Sequence, residues 1–295
     1  MGEKQWITPR SFLFNILNGL AIAIVVGMLP NAILGDLSKY LSQYNEIFSK
    51  IAVVVQGIQY TIPILTGVLI AIQFNLTQLQ TAVVGAATFV GSGATTITNH
   101  QWVITGIGDL INTMITGAIA VGIILIIGDR AGSLNMIILP IVAGGIPGLL
   151  GLLLLPYTKL ITVGIGSVVN SLTNTQPIIM TILIAVIFSI LIVSPISAIG
   201  IGIAIGISGL AAGSAAVGVS ASAIMLALGA WRVNKVGVPI SVLLGAVKLM
   251  MPNTIRHPII FLPVTCTAAV SGLVGVLLNI KGTPDSAGFG LIGLV

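Results

Sequence analysis

A polar stretch near the end of the chain, PNTIRHPIIFLPV (252–264), is the part of the sequence best equipped for chemistry. Four of its side chains can donate or accept hydrogen bonds: Asn253, Thr254, Arg256 and His257. Pro252 and Pro258 each remove a backbone donor and disfavour helix at the residue before them. We therefore expect irregular backbone between the prolines, with these side chains lining a cavity that binds a small polar solute. In the alternative, Arg256 lies at the cytoplasmic interface and reaches a lipid phosphate.

A second polar cluster lies in TTITNHQW (95–102). Thr96, Asn99 and His100 supply hydrogen-bonding groups, and Trp102 supplies an aromatic face. Hydroxyl-rich ligands are bound by such groups. A histidine at the end of a loop is also common on an ordinary polar surface. The cluster is therefore either a further part of a binding site or a plain polar loop.

Other kinds of chemistry find little support in the residue content. His100 and His257 are far apart in sequence and have no Cys or Glu cluster beside them, so we expect no metal. Cys266 stands alone, which excludes an intramolecular disulfide and a CxxC site. No Ser, His and Asp set for nucleophilic catalysis is recognisable. Ion-coupled carriers usually have buried acids, and this chain has almost none. We expect no enzyme activity and no cofactor.

The composition indicates what must position these residues. Of 295 residues, 56% are hydrophobic and 6% are charged, against about 25% charged in soluble domains. Residues 51–108 and 160–231 contain no Asp, Glu, Lys or Arg, and a helix needs about 20 apolar residues to cross a bilayer. The runs are continuously apolar, as in ILIAVIFSILIV, whereas polar and apolar residues alternate along the strands of a membrane β-barrel. The sequence therefore predicts an all-α polytopic protein of the cell membrane.

We expect about eight to ten transmembrane helices in a single domain over 1–295. The apolar run after Arg10 is too long for a signal peptide and predicts a retained first helix. Lys4 and Arg10 place the N-terminus in the cytoplasm, and Arg232 and Lys235 place their connection there too. The net charge of +5 thus reflects basic residues near helix ends, and we expect no binding to nucleic acid.

Several segments depart from a simple crossing. Helical spacing with polar residues predicts amphipathic helices on the membrane surface over 31–50 and 157–175. Residues 81–98 are small and rich in threonine, which is typical of a broken or re-entrant element. Residues 237–256 contain glycines, prolines and polar groups, so we predict a hairpin that enters the membrane and turns back. The chain ends inside an apolar run, which suggests that a segment beyond it is missing.

KLMMPNTIRHPIIFLPV, followed by GTPDSAGFG, resembles the membrane component, IIC, of bacterial phosphotransferase-system sugar transporters. The likeness is to the type 2 branch with the perfringolysin O regulator-like membrane proteins. It covers most of the chain in hydropathy and is specific mainly over 237–290. The resemblance implies a homodimer with many transmembrane helices, re-entrant hairpins and interfacial helices. It also implies that sugar enters from outside and is phosphorylated at the cytoplasmic face by a separate IIB component.

One position departs from the pattern of the sugar-specific members. Many of them carry a glutamate before the corresponding proline, where it bonds a sugar hydroxyl, and here that residue is His257. A neutral histidine also donates and accepts, so hydroxyl recognition is retained. No IIB-like cysteine segment is attached, since Cys266 lies in an apolar run. The implied partners are a small polar solute, membrane lipid, a second copy, and separate IIA and IIB components.

Two functions stay open on these grounds. The favoured one is a IIC-type transporter that binds and translocates a small polar solute, a sugar by resemblance, at the hairpin with Asn253, Arg256 and His257. The alternative is a membrane-embedded sensor or regulator that keeps the fold and moves nothing. Uptake of labelled solutes into proteoliposomes separates the two.

Overall fold

Helices make up most of the described part of this chain. The computed structural model describes residues 8–128, 130, 132–173, 175–283 and 286–288, without the side chain of Asp36. Within these residues the strands form one antiparallel pair. The predicted all-α fold class is confirmed.

The chain divides into two compact units. The first comprises Met1–Ala23 and Tyr60–Leu155, and the second comprises Ile24–Gln59 and Pro156–Val295. Each has its own apolar core. A single domain over 1–295 stays a prediction.

The helices follow one another with short connections. In chain order they are α1 (Pro9–Leu41), α2 (Glu46–Tyr60), α3 (Ile62–Gln73), α4 (Gln78–Gly91), α5 (Leu110–Ile127), α6 (Asn135–Leu139), α7 (Ile146–Leu172), α8 (Pro177–Ile192), α9 (Ala198–Ala204), α10 (Gly209–Trp231), α11 (Gly237–Leu243), α12 (Met251–Arg256) and α13 (Phe261–Leu277). Strands β1 (Thr95–Thr98) and β2 (Gln101–Ile104) lie between α4 and α5. Further short helical turns are Gly132–Leu134, Pro140–Gly145, Val247–Met250, Pro258–Ile260 and Ser286–Gly288.

Five helical stretches in the described chain are long and apolar enough to cross a membrane: Pro9–Leu41, Leu110–Ile127, Gly132–Leu172, Gly209–Trp231 and Pro258–Leu277. A sixth arises if α2 and α3, which bend by 47° at their junction, form one broken span. Helix α8 is apolar but has only 16 residues. The polytopic membrane class is therefore confirmed. By length, the described residues supply five or six spans, and the remaining predicted membrane helices correspond to shorter elements.

Small residues let the helices of the first unit approach closely. A Cβ added at Gly67 of α3 would overlap the hydroxyl of Thr88 on α4, so that crossing requires glycine. Asp109 is the N-cap residue of α5, and its carboxylate accepts a hydrogen bond from the backbone N–H of Asn112 at 2.7 Å. This carboxylate pairs with an orphan donor at the positive end of the helix.

The second unit packs α8, α10 and α13 against one another. A Cβ added at Gly272 of α13 would lie 2.7 Å from the carbonyl oxygen of Thr181 on α8. A Cβ added at Gly218 of α10 would come closer still to the backbone carbonyl oxygen of Ala185 on α8. Phe188 fills the core between them and is fully buried. Close contact of backbones through small residues is how membrane helices associate.

Proline positions did not mark the helix ends that the sequence suggested. Helix α1 continues through Pro30 to Leu41, so a separate surface helix beginning at residue 31 is wrong. Helix α7 continues through Pro156, so a break before residue 157 is also wrong. Membrane helices tolerate internal proline because neighbouring groups satisfy the freed carbonyl.

Two other irregular segments have defined structures. The element predicted over 81–98 consists of most of α4, a short connection and strand β1. The segment predicted as a hairpin over 237–256 consists of α11 and α12 joined by the turn Val247–Met250, and its entry into the membrane stays a prediction. Lys4 lies outside the described residues, and the cytoplasmic N-terminus stays a prediction.

Candidate functional site

Residues 247–257, which we call the Lys248 segment, contain the first predicted cluster. The turn Val247–Met250 leads directly into α12, and His257 then leaves the helical region with φ −128° and ψ 78°. The expected irregular backbone between Pro252 and Pro258 is therefore wrong for α12. Pro252 lies in the first turn of the helix, where its missing N–H costs no hydrogen bond. Pro258 disfavours helix at the preceding residue, and the helix ends there.

The four predicted side chains of this segment fall on two sides. Asn253, Arg256 and His257 are exposed, and their i, i+3, i+4 spacing puts them on one face, which we call the α12 face. Thr254 is fully buried, and its hydroxyl donates to the carbonyl oxygen of Met250 at 2.9 Å. The structure thus brings three candidate ligands to one surface and places Thr254 in the packing beneath it.

Lys248 is the buried cation of this region. Only 4% of its surface is exposed. Its Nζ donates to the carbonyl oxygens of Ser194 at 2.6 Å, Ile196 at 2.8 Å and, more weakly, Leu191 at 3.4 Å. Leu191 lies in the last turn of α8, where the helix dipole is negative, and its carbonyl oxygen also accepts from the backbone N–H and the hydroxyl of Ser194. An ammonium has three donors, so these carbonyls satisfy it.

Lys248 was not among the residues predicted from the sequence. A signal was present, because the lysine is alone in the apolar run GAVKLMM within a predicted membrane hairpin. An ionisable residue in such a place usually has a partner and a role. Its partners could not be read from the sequence, because Ser194 and Ile196 lie 54 and 52 residues earlier.

Cavities of different size lie within the second unit. One of about 30 Å³ lies beside Lys248 and is lined mainly by apolar side chains of α1 and of the turn after α8. It has room for a few water molecules. A larger one, of about 290 Å³, has Asn170, Thr173 and Ser208 in its wall, near the start of α10. Its volume approaches that of small-ligand pockets, but its lining includes none of the predicted site residues.

The second predicted cluster lies on residues 95–104, the β hairpin of the first unit. Thr96, Asn99 and His100 are all exposed. Asn99 and His100 are the two turn residues, with φ of 50° and 61°. Positive φ at both positions defines a type I′ turn, which favours Asn at the first. The turn therefore accounts for Asn99 without a ligand, whereas a histidine in this conformation is uncommon.

A buried polar cluster in the first unit was not predicted. Asn112 of α5 is fully buried, and its Nδ2 donates to the carbonyl oxygens of Gly91 and, at 2.8 Å, of Gly151. It thereby joins the end of α4 to α7. In the described structure the Oδ1 of Asn112 and the Oγ1 of Thr116 are buried without a hydrogen-bond partner. The arrangement accounts for helix packing, and no cavity that contains it is seen among those described above.

The titratable side chains of the described chain are suited to hydrogen bonding, and they do not form a metal site. Across the described ranges, no three His, Cys, Asp or Glu side chains could hold a metal ion together. Cys266 has a free thiol and is exposed on α13. What the α12 face can do chemically is to donate and accept hydrogen bonds beside a permanent positive charge.

Comparison with known proteins gave one informative result. The family model described as Phosphotransferase system, EIIC matches residues 14–295. Neither the curated proteins nor the solved structures gave a match. The match spans both units and includes the Lys248 segment and the hairpin.

Proposed function

The chain belongs to the EIIC family of the phosphotransferase system, and from this premise we propose that it binds and translocates a small polar solute, a sugar. Family membership and the apolar helices make it a multi-pass membrane component of that system. The observation that carries solute binding is the α12 face, which is exposed at the end of a buried segment.

The α12 face has the chemistry that a sugar requires. Asn253 and a neutral His257 can each donate and accept, while Arg256 only donates. A sugar hydroxyl also donates and accepts, so neighbouring hydroxyls can bond to neighbouring members of the face. The planar guanidinium of Arg256 suits a pair of adjacent oxygens. Thr254 is already bonded to Met250, so in this proposal it supports the helix and does not contact the solute.

The phosphoryl group is transferred elsewhere in this proposal. Separate IIA and IIB components phosphorylate the sugar at the cytoplasmic face, and this chain supplies the route and the binding site. Support comes from the family and from the setting of Cys266, which lies on an apolar helix. A transfer site would instead need a phospho-accepting Cys or His in a soluble segment.

Solute exchange in proteoliposomes tests the proposal. Liposomes containing the purified chain are loaded with one unlabelled sugar, and entry of the same labelled sugar is followed for a panel of hexoses, pentoses and sugar alcohols. We expect exchange above that of protein-free liposomes for at least one sugar. Calorimetry on the detergent-solubilised protein measures binding of the same panel.

The outcomes separate the two functions left open by the sequence. Exchange and binding of the same sugar support transport. Binding without exchange identifies a sensor or regulator with the same fold. Absence of both for every sugar tested would overturn the proposal.

We also propose that the chain works as a two-fold homodimer, since closed two-fold dimers are the commonest oligomers and the family resemblance implies one. Light scattering in mild detergent should give the mass of two chains of 30.2 kDa. A monomer that still binds the sugar would contradict this.

A further inference from the structure

Lys248 connects two parts of the second unit that are far apart in sequence. Its ammonium group is bonded to carbonyl oxygens of the turn after α8, and its backbone leads within three residues into α12. We propose that Lys248 is a positioning residue that fixes the Lys248 segment to this turn and thereby holds the α12 face in its binding arrangement. The effect on solute affinity rests on the proposed function, whereas the effect on the segment does not.

The bonds of Lys248 depend on its charge. In the described part of the chain it makes no salt bridge, and its charge meets only carbonyl dipoles. These carbonyls lie at the negative end of α8 and in the turn that follows it. A charge-assisted bond is about twice as strong as a neutral one, and removal of the ammonium takes the charged donor away from the partly buried carbonyls of Ser194 and Ile196. The contact is therefore a specific hydrogen-bonded interaction between Lys248 and the turn after α8, and it is more than close packing.

The backbone between Lys248 and the α12 face is well ordered. Val247 and Met251 on either side are 1% and 0% exposed. The N–H of Leu249 donates to the carbonyl of Ala246 at 3.0 Å, and the Thr254 hydroxyl bonds back to Met250. A shift of Lys248 would therefore move α12 as a body.

The turn that receives the ammonium is also held in place. The Ser194 hydroxyl accepts from the backbone N–H of Ile196 at 3.2 Å. The Ser197 hydroxyl accepts from the N–H of Gly200 at 3.0 Å, which caps α9. Because both partners are ordered, the lysine restrains the Lys248 segment against a fixed point.

Substitution by methionine separates charge from volume. Lys248→Met keeps most of the length of the side chain and removes the ammonium, and apolar replacement of a buried ion is often tolerated in folding. Lys235→Met is the matched control, because Lys235 lies in the same unit and is exposed. We expect Lys248→Met to lower sugar affinity by about tenfold, within the range found for residues that do not touch the ligand, and Lys235→Met to leave it unchanged.

The mobility of a spin label beside the α12 face reports whether this face is held in place, and the measurement requires no sugar. The label is attached at Ile259→Cys, which is 74% exposed, in a Cys266→Ala background because that thiol is also exposed. We expect Lys248→Met to raise the mobility of the label clearly, with no change for Lys235→Met. This readout stands even if the chain binds no sugar, so failure of the proposed function and failure of this inference are distinguishable.

Chemical rescue completes the test. Lys248→Ala deletes the atoms from Cγ to Nζ, and propylammonium replaces them. We expect propylammonium to restore label immobility, or monodisperse folding if the variant does not fold alone. Propan-1-ol has nearly the same size without the charge and should not restore either. Rescue by both compounds or by neither would overturn the inference, as would an unchanged label mobility in Lys248→Met.

Discussion

The β hairpin and the Lys248 segment each present a histidine beside other polar residues, but their backbones place these histidines in different settings. His100 has φ of 61° at the tip of a two-residue turn, and the residues on both sides of it are exposed. His257 has φ of −128° at the end of α12, and it follows a segment in which Lys248, Met251 and Thr254 are buried. In the first setting, the histidine is a turn residue at the exposed end of the hairpin. The second is a polar surface held by buried contacts.

The difference shows what makes a polar cluster a useful binding surface. A ligand gains most from groups that are already held in place, because ordering them on binding costs free energy. On the α12 face, packing of Thr254 and Met251 and the bonds of Lys248 supply that order. The hairpin has a defined strand register but no buried residue from Thr96 to Ile104. This difference supports our proposal that the solute binds at the α12 face.

The largest expected difference between the two regions is in sugar affinity. His257→Ala removes a donor and an acceptor from the α12 face, and an unpaired hydroxyl in the complex costs about 1–3 kcal/mol, or about fivefold to 150-fold in affinity. His257→Gln should retain part of the affinity, because an amide also donates and accepts. Calorimetry with a sugar identified in the exchange assay measures both.

His100→Ala is the matched substitution in the hairpin. It should leave sugar affinity within about twofold of the unmodified chain, because surface changes away from a site have small effects. If instead His100→Ala loses binding and His257→Ala does not, the assignment is reversed and the site lies at the hairpin. Size-exclusion profiles of all variants exclude misfolding as the cause.

A smaller difference between the two regions is expected in the effect of a threonine substitution on stability. Thr254→Ala removes a buried methyl group and a bonded hydroxyl, and should lower the free energy of unfolding by about 1 kcal/mol. Thr96→Ala acts on an exposed side chain and should change it by less than about 0.5 kcal/mol. Thermal unfolding midpoints in one detergent compare the two. Equal midpoints would mean that the packing beneath the α12 face contributes little.

The smallest effect should differ in sign between the histidines. His100→Gly relieves a left-handed backbone that glycine adopts freely, and should raise stability by about 0.5 kcal/mol. His257→Gly places a flexible residue where φ is negative, and should lower stability by a similar amount. The same thermal measurement tests both. A loss of stability in His100→Gly would show that the imidazole makes contacts that stabilise the hairpin.

Individual elements show how far sequence reasoning reached. Long runs without charged residues predicted membrane helices, and the structure confirms an all-α membrane protein. This prediction needs only the length and hydropathy of each run, and not its contacts with other helices. The hairpin at 95–104 was not predicted, since small and threonine-rich residues suit several conformations. Separate surface helices were predicted to begin at residues 31 and 157, but α1 and α7 continue through Pro30 and Pro156, because membrane helices tolerate proline.

The sequence predicted which residues could form the candidate site, and the structure showed which of them are exposed together and which is buried. Helical spacing could have separated Thr254 from Asn253, Arg256 and His257, but irregular backbone was expected between the prolines. The partners of Lys248 could not be predicted, because they are backbone carbonyls and every residue has one. A carbonyl leaves no trace in residue type, so no motif could indicate this contact.

The sequence by itself determined that this chain is a helical membrane protein of a recognisable family, because hydropathy and a short motif suffice for both. Only the tertiary structure decided which polar residues share a surface, which are turn residues and which charge is buried. These properties depend on chain segments some 50 residues apart meeting at hydrogen-bond distance, as Lys248 and the turn after α8 do. Such meetings follow from the packing of whole helices, which local composition does not specify.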